Sequence, residues 1–265
     1  MRTSLGQNFL ANETIAEKIV NSAGLSNKNN ILEIGPGKGI LTKYLGKYAG
    51  KVLALEIDRK LITELSLKHI QDETSIKIIE GDILKINLPQ LLKKNNFENY
   101  KVVANLPYYI TSKIIRLMLE TKYPPSEMIL MVQKEVGERI VALNKKESLL
   151  SISVKFYAEP EILFYVTKEN FKPLPKVDSA VIRIKRKKNI PNVNTKKFFQ
   201  IVRAGFSSKR KMLINNLSAS FHIPKNQLLE WIKKSGLEPR VRAEKLELEE
   251  WIKLYTNFNN PKSEK

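Results

Sequence analysis

The sequence predicts an α/β protein that combines a mostly parallel sheet, closed by an antiparallel pair, with a small C-terminal helical domain. Short apolar runs alternate with helical patterns up to about residue 142. Uninterrupted apolar strands of this kind are typical of a parallel sheet that is buried on both faces. With 265 residues and 42% hydrophobic content, the chain can form one large domain and a small appendage.

Seven strands are predicted. Five of them alternate with helical patterns, at 30–34, 51–57, 76–79, 100–104 and 128–132. Two more, Leu149 to Tyr157 and Ser179 to Ile184, have no obvious helix between them and suit an antiparallel pair that closes the sheet. A basic segment from Lys185 to Pro191 predicts a linker, so we place the domain boundary near residue 188. Helices are predicted beyond it at 195–204, 211–221, 225–234 and 246–255, before a polar tail.

The balance of charged residues favours a polyanionic partner. Forty-six Lys and Arg against 27 Asp and Glu give a net charge of +19, and neutralised phosphates release counterions. Basic residues cluster at 183–188 and 207–211. The chain has no cysteine, and its two histidines, His69 and His222, lie far apart in sequence. Disulfides, a thiolate metal site and a cysteine nucleophile are thereby excluded, and a metal-dependent mechanism is not expected.

Three features at strand ends predict a nucleoside-binding site. The first predicted strand ends in Glu33-Ile34-Gly35-Pro36-Gly37-Lys38-Gly39, whose glycines permit a tight turn and close approach of a ligand. The G-x-G-x-G spacing differs from that of a dinucleotide fingerprint. Glu56, at the end of the second strand, can accept hydrogen bonds from ribose hydroxyls, or it can cap a helix that starts at Asp58. Asp82, after the third strand, can accept from an adenine amino group or act as an ordinary turn residue.

A polar corner, Asn105-Leu106-Pro107-Tyr108, follows the fourth strand. It can present an amide oxygen, a backbone carbonyl that Pro107 holds in an extended approach, and an aromatic face. Methylation of an exocyclic amino group on a flat ring requires these three groups. The alternative is a strand that ends at a proline and enters a helix near Thr111. Because ligands of open α/β sheets bind at the carboxyl ends of strands, all four features are expected at one edge.

Taken together, these features resemble the class I S-adenosylmethionine-dependent methyltransferases, and the Asn105 corner resembles their amino-group-methylating branch. Further motifs at 5–10, 105–111, 133–136 and 171–181 resemble the ribosomal RNA adenine dimethyltransferase family, over about residues 5–220. Leu106, Val177-Asp178-Ser179-Ala180 and the 206–217 segment resemble its small-subunit, kasugamycin-resistance branch. The large-subunit, macrolide-resistance branch usually carries Ile at the position of Leu106 and Asn at the position of Asp178.

The resemblance implies that S-adenosylmethionine is the cofactor, and it implies roles for individual residues. The implied cofactor contacts are Gln7, Asn8, Leu10, Gly35, Glu56, Asp82 and Asn105. In the implied catalytic group, Asn105 and Leu106 accept from the adenine amine, Pro107 shapes the corner, and Tyr108 and Phe171 hold the purine between their rings. Ordinary packing roles stay open for Leu10 and Phe171.

The implied reaction gives N6,N6-dimethyladenosine at two adjacent adenines in the 3′-terminal hairpin loop of small-subunit (16S) ribosomal RNA. Residues 1–188 form the catalytic domain in this interpretation, and 189–265 form an RNA-binding helical domain with a polar tail. RNA contacts are predicted at Arg183, Lys185, Arg186, Lys209, Arg210 and Lys211. The expected partner is RNA of a partly assembled small subunit, and the protein is expected to be a cytoplasmic monomer without a membrane segment.

Two other classes of protein stay open. An RNA-binding assembly factor with an inactive site is disfavoured by the intact Asn105 corner, Glu56 and Asp82. A nicotinamide oxidoreductase is disfavoured by the glycine spacing. The chain also departs from the family pattern at Glu147-Ser148 and at Lys155, where many members carry Tyr-Gly and Gln. We interpret these departures as surface or packing changes.

Overall fold

The computed structural model describes residues 8–67 and 75–258 and divides the chain into two compact units. One unit comprises Met1–Glu138 and Ala158–Arg186, and the other comprises Arg139–Tyr157 and Lys187–Lys265. Gln7 and His69 lie outside the described residues, so the role predicted for Gln7 stays a prediction.

The first unit contains a seven-stranded sheet of order β4-β3-β2-β5-β6-β9-β7 and a two-stranded sheet of β1 and β8. Strands β2 to β6 pair in parallel, whereas β9 runs antiparallel to β6 and β7 runs antiparallel to β9. The strands are β1 Phe9–Leu10, β2 Asn30–Ile34, β3 Lys51–Glu56, β4 Ile76–Glu80, β5 Lys101–Asn105, β6 Glu127–Gln133, β7 Ala158–Val166, β8 Phe171–Lys172 and β9 Ser179–Arg186.

The strand order creates a switch point between β2 and β5. From β2 the chain continues outward through β3 to β4, and it then returns to pair β5 with the other side of β2. Open α/β sheets bind ligands in the crevice at such a point, outside the carboxyl ends of the strands. The glycine turn after β2 and the corner after β5 therefore flank one crevice.

Eleven α-helices occur within the described residues. They are α1 Glu13–Ser22, α2 Ile40–Tyr48, α3 Arg59–Leu67, α4 Leu88–Lys94, α5 Thr111–Glu120, α6 Lys134–Val141, α7 Leu149–Tyr157, α8 Thr195–Gly205, α9 Leu213–Phe221, α10 Lys225–Lys234 and α11 Leu248–Phe258. Side chains cap several of them; the Asn12 amide oxygen, for example, accepts from the Ile15 N–H at the start of α1.

The predicted α/β architecture is confirmed, but the strand predicted at Leu149 to Tyr157 is wrong. That segment is helix α7, and the strand that pairs with β9 is β7, which begins directly after it. Ser148 and Ser151 cap each other's backbone N–H groups at the start of the helix, at 3.1 and 2.7 Å. Buried residues cover most faces of α7, so no amphipathic period is visible in its sequence.

Aromatic packing explains why α7 belongs to the helical unit. The ring centroid of Phe156 lies 5.0 Å from that of Phe198 and 5.1 Å from that of Phe199. The predicted domain division placed 139–157 in the catalytic domain, whereas the contacts group this segment with the C-terminal helices. Strand β9 also extends to Arg186, into the segment predicted as a linker.

The two departures from the family pattern are linked to each other. Glu147 and Lys155 form an ion pair in which the side chains are 6% and 28% exposed. The Lys155 carbonyl also accepts from the Lys187 ammonium at 2.7 Å. The interpretation as separate surface or packing changes is therefore wrong, because the lysine provides the charge partner of a buried carboxylate.

Candidate active site

A cavity of about 260 Å³ lies at the switch point of the first unit. Its walls come from the β1 segment, the glycine turn with the start of α2, the end of β3 and the corner after β5. The lining residues are Asn8, Phe9, Leu10, Glu33, Gly35, Pro36, Gly37, Lys38, Ile40, Leu41, Glu56, Asn105, Leu106, Pro107, Tyr108 and Tyr109. Eight of the predicted cofactor and catalytic residues thus share one cavity, although the segments that carry them are distant in sequence.

The glycine turn forms one wall because its backbone adopts a conformation that side chains rarely permit. Gly35 and Gly37 have φ values of +69° and +58°. The Gly35 N–H donates to the Leu55 carbonyl at 2.9 Å, which fastens the turn to β3. A Cβ added to Gly35 would meet no atom within 4 Å, so the space beside this residue is open to a ligand.

Glu56 holds the glycine turn and also lines the cavity. Its Oε2 accepts from the Gly37 N–H at 3.1 Å, and its Oε1 accepts from the N–H groups of Ile57 and Asp58 at 2.8 and 3.0 Å. Glu56 can therefore both cap the backbone at Asp58 and bind ribose hydroxyls, since its carboxylate accepts from the following N–H groups and still borders the cavity. A carboxylate offers about four acceptor positions, so one stays available to a ligand hydroxyl.

Glu33 is a cavity residue that the sequence did not single out for a functional role. Its side chain is buried, and within the described residues Oε2 has no hydrogen-bond partner. Burial raises the pKa of the Glu33 carboxyl to about 8; the nearby Thr42 hydroxyl opposes this rise, and the Glu56 charge adds to it. A cationic ligand such as S-adenosylmethionine, which carries an ammonium and a sulfonium group, favours the ionised form of this carboxyl and would lower its pKa on binding.

The Asn105 corner presents hydrogen-bond acceptors to the same cavity. The Leu106 N–H donates to the Met131 carbonyl at 3.1 Å, which fixes the corner to β6. Within the part of the chain that the structure describes, the Leu106 carbonyl accepts no backbone hydrogen bond, and the Asn105 amide makes no side-chain hydrogen bond. The Pro107 carbonyl, by contrast, accepts from the Thr111 hydroxyl at 3.1 Å.

The two tyrosines of the corner are placed differently. Tyr108 is half-buried, and its hydroxyl makes a 2.9 Å hydrogen bond with the Ser179 hydroxyl. Burial raises the pKa of Tyr108, and the bond to Ser179 opposes this shift. Tyr109 also lines the cavity but is 64% exposed. Sequence analysis did not select Tyr109, although it directly follows the predicted corner.

Two predicted site residues lie away from the cavity wall. Phe171 is buried in the hydrophobic core, where its strand pairs with Leu10, so the packing role that was left open is the one the structure supports. Asp82 accepts from the Leu84 N–H at 2.9 Å, as a turn residue does. Its predicted contact with adenine stays a prediction.

Two of the predicted RNA contacts in β9 are already engaged within the first unit. The Arg183 guanidinium forms ion pairs with Glu127 and Glu161 at 3.1 and 2.9 Å and donates to the Ser22 carbonyl at 2.8 Å. Arg186 is partly buried and donates to the Leu119 carbonyl at 3.4 Å. Lys185 is exposed. The role predicted for Arg183 is therefore corrected, because its charge is neutralised by two carboxylates of the protein.

Lys209, Arg210 and Lys211 are exposed in the turn between α8 and α9. The Asn216 amide fastens this basic turn (residues 206–212) by donating to the Gly205 and Ser208 carbonyls at 2.6 and 3.0 Å. A second turn, at residues 240–242, lies beside the basic turn, because the N–H of Leu213, directly after the basic turn, donates to the Val241 carbonyl at 2.8 Å. It carries the exposed Arg240 and Arg242, which sequence analysis did not select because they lie about thirty residues away.

Within residues 8–67 and 75–258, no group of His, Cys, Asp or Glu is arranged to hold a metal ion. No helix in the same ranges is long and apolar enough to cross a membrane.

The doubly wound sheet, the glycine turn with Glu56 and the Asn-Leu-Pro-Tyr corner define a class I methyltransferase with an amino-group-methylating site. A family model described as ribosomal RNA adenine dimethylase matches residues 1–260. The chain belongs to the ribosomal RNA adenine dimethylase family, and it is an enzyme whose methyl donor is S-adenosylmethionine.

Relatives and solved structures agree with this assignment. The chain is 41% identical over 263 residues to ribosomal RNA small subunit methyltransferase A of Dehalococcoides mccartyi, covering 98% of this chain and 89% of the relative. It is 40% identical to the protein of that name from Clostridioides difficile, with 99% and 92% covered. A dimethyladenosine transferase from Plasmodium falciparum matches with a TM-score of 0.81 at 27% identity, covering 95% of this chain and 97% of that one. The 23S rRNA methyltransferase ErmE matches with a TM-score of 0.76 at 25% identity, covering 96% and 100%.

We expect Gly35→Ala to abolish measurable cofactor binding while the fold persists. The added methyl group enters the open space beside the turn, where the ligand must approach the backbone. Gly24→Ala is a matched control, since Gly24 also has a positive φ, of +53°, and no atom within 4 Å of an added Cβ, but does not line the cavity. Calorimetric titration with S-adenosylmethionine measures both variants. Equal affinities in the two folded variants would contradict the assignment of this turn.

We expect the stability of the ligand-free protein to fall as the pH rises from about 4.5 to about 8. In this window the Glu33 carboxyl keeps its proton in the folded protein but loses it in the unfolded chain. The unfolding free energy should therefore fall by up to about 1.4 kcal/mol per pH unit more in the wild type than in Glu33→Gln. Chemical denaturation of both proteins at several pH values measures this difference. Parallel pH profiles would show that Glu33 does not titrate in this way.

Proposed function

We propose that the protein transfers methyl groups from S-adenosylmethionine to the N6 amines of two adjacent adenines in the 3′-terminal hairpin loop of small-subunit ribosomal RNA. The observation that carries the proposal is the shared cavity of the glycine turn and the Asn105 corner. A methyl donor bound at the glycine turn and an adenine amine bound at the Asn105 corner would therefore lie next to each other in this cavity. The choice of the small subunit rests on the relatives named small subunit methyltransferase A.

The cofactor side of the cavity has acceptors for each polar part of the donor. S-adenosylmethionine, when bound, supplies an electrophilic methyl group. Glu56 accepts from the ribose hydroxyls, and the Gly35 turn lets the donor approach the backbone closely. Glu33 offers its unpaired oxygen to the cationic methionine end. Asn8 and Leu10 also line the cavity, and Asp82 is proposed to reach the adenine amine from its turn.

The corner orients and activates the target amine. The N6 lone pair of adenine is delocalised into the ring, so the amine is a weak nucleophile. Hydrogen bonds from N6–H to the Asn105 amide oxygen and the Leu106 carbonyl favour a localised lone pair and stabilise positive charge that develops on nitrogen. No strong base is required, because the alkylated amine becomes acidic and loses a proton to water. Tyr108 stacks on the purine, which must leave its own stack to enter.

The basic turn with Lys209, Arg210 and Lys211 is proposed to hold phosphates around the target loop. Phosphate contacts fix register and add little sequence choice. Arg240 and Arg242 extend the same surface, because the Leu213–Val241 hydrogen bond brings their turn beside it. Lys185 is the β9 residue still proposed to contact RNA. We further propose a partly assembled small subunit as the substrate and a cytoplasmic monomer as the active form.

Replacement of Lys209, Arg210 and Lys211 by Ala is expected to reduce the slope of log affinity against log salt by up to about 3 units. Each lost phosphate contact removes one counterion-release event from binding. The control variant replaces three exposed lysines of α10, Lys225, Lys233 and Lys234, and alters the net charge equally. Filter binding of small-subunit RNA at several salt concentrations measures both slopes. A matching decrease in the control would indicate a general charge effect and not a docking surface.

Transfer of labelled methyl groups to isolated ribosomal subunits that lack this modification tests the proposed function. We expect label in small-subunit RNA, recovered as N6,N6-dimethyladenosine after nuclease digestion. Label in large-subunit RNA would instead favour an activity like that of the 23S rRNA methyltransferase ErmE. Binding of RNA without transfer to either subunit would favour the assembly factor with an inactive site.

A further inference from the structure

Ser179 is a fully buried polar residue outside the cavity. It is the first residue of β9, and it pairs with Gln133 of β6 on one side and with Val166 of β7 on the other. A residue held between two neighbouring strands has little freedom to move. Its hydroxyl is therefore a fixed point in the sheet.

Tyr108, by contrast, lies in the turn between β5 and α5, where no strand partner fixes its backbone. Its ring borders the cavity, and its hydroxyl makes the 2.9 Å hydrogen bond with the Ser179 hydroxyl. This bond connects residues that are 71 positions apart. It ties the far end of the ring to the sheet, while the Leu106 N–H ties the start of the corner to β6.

We propose that Ser179 is a positioning residue for methyl transfer, which fixes the direction of the Tyr108 side chain, and so the position of its ring, through this hydrogen bond. The proposal rests on the proposed function, in which Tyr108 stacks on the target adenine. A stacked base takes its orientation from the ring beneath it, so a tilt of the ring moves N6 out of line with the methyl group. Small errors in such alignment lower reaction rates strongly.

A purely structural role makes a different prediction. If the bond only satisfies a buried hydroxyl, loss of either partner lowers stability and leaves the rate of the folded enzyme unchanged. If the bond positions the ring, both single variants lower the rate, and the double variant is no slower than the slower single variant. A double-mutant cycle separates these cases.

The experiment measures single-turnover methyl transfer with saturating small subunits and cofactor for the wild type, Ser179→Ala, Tyr108→Phe and the double variant. We expect each single variant to be about tenfold slower, the size of effect that one lost hydrogen bond produces. Cofactor affinity should be unchanged. Ser151→Ala is the control, because it removes another buried, hydrogen-bonded hydroxyl from helix α7 and should not alter the rate. Wild-type rates in Ser179→Ala, or multiplied losses in the double variant, would overturn the inference.

A second measurement needs no RNA. In crystal structures of the ligand-free proteins, the Tyr108 ring is expected to hold one orientation in the wild type and several in Ser179→Ala. One unchanged orientation in the variant would also overturn the inference. Failure of the wild type to methylate small subunits would instead overturn the proposed function, and the ring orientation would still decide whether Ser179 positions Tyr108.

Discussion

Replacement of Asn105 by alanine is expected to lower the single-turnover rate of methyl transfer by about 10²- to 10³-fold, the loss typical of one oriented group that stabilises developing charge. The Asn105 amide lines the cavity, and the structure gives it no side-chain hydrogen bond within the described residues. Truncation therefore leaves no protein group unpaired, so folding should persist. The affinity for RNA should change little, because stacking and phosphate contacts remain.

Rapid quench of labelled cofactor with saturating small subunits measures this rate. Asn105→Asp is the matched variant, since it keeps an acceptor oxygen of the same reach, and it should be faster than Asn105→Ala. Near-normal transfer by Asn105→Ala would refute the role given to the corner and the proposed chemistry with it. If both variants lost the methyl-transfer rate equally and severely, the side-chain oxygen would not be the hydrogen-bond acceptor that the rate requires.

Replacement of Lys155 by methionine is expected to lower the unfolding free energy by about 3–5 kcal/mol, because it leaves a buried carboxylate without its partner. The Glu147 side chain is only 6% exposed, and within the described residues its Oε2 has no hydrogen-bond partner. Lys155 is therefore the cation that compensates this buried carboxylate. Urea denaturation of the purified variants measures the loss.

Two variants test the cause of this loss. The double variant Glu147→Gln with Lys155→Met removes both charges and should regain much of the lost stability. Arg116→Met breaks the Arg116–Glu120 ion pair, whose side chains are 57% and 38% exposed, and should reduce stability by no more than about 1 kcal/mol. A double variant as unstable as Lys155→Met alone would show that lost packing, and not an isolated charge, is responsible.

The parallel part of the fold could be predicted because its strands are short, apolar and separated by helical patterns. The five predicted parallel strands match β2 to β6 closely. The glycine turn and the Asn105 corner could also be placed, since the carboxyl ends of parallel strands share one edge. Their meeting in one cavity follows from the strand order, which puts β2 beside β5.

Other features depend on tertiary contacts that local sequence does not encode. Helix α7 is apolar on most faces, so its sequence also fits a buried strand. Phe171 stands in a rigid proline-rich segment that suggests a ring presented at the site, yet its pairing beside Leu10 places it in the core. In the sequence, Glu33 is only a residue that precedes the glycine turn. Its burial near Glu56, which marks it as a site residue, is visible only in the structure.

The Asn216 amide has a consequence for the thermodynamics of RNA docking. Because it fastens the Gly205 carbonyl, directly before the basic turn, and the Ser208 carbonyl within it, the backbone of this turn is restrained before RNA arrives. In the proposed function, docking then restricts mainly the basic side chains, at about 0.5–1.5 kcal/mol for each one immobilised. The backbone of the turn, already held by Asn216, then loses less conformational entropy on docking. Affinity for phosphate is thus preserved by a residue that carries no charge and lies beneath the surface that RNA would contact.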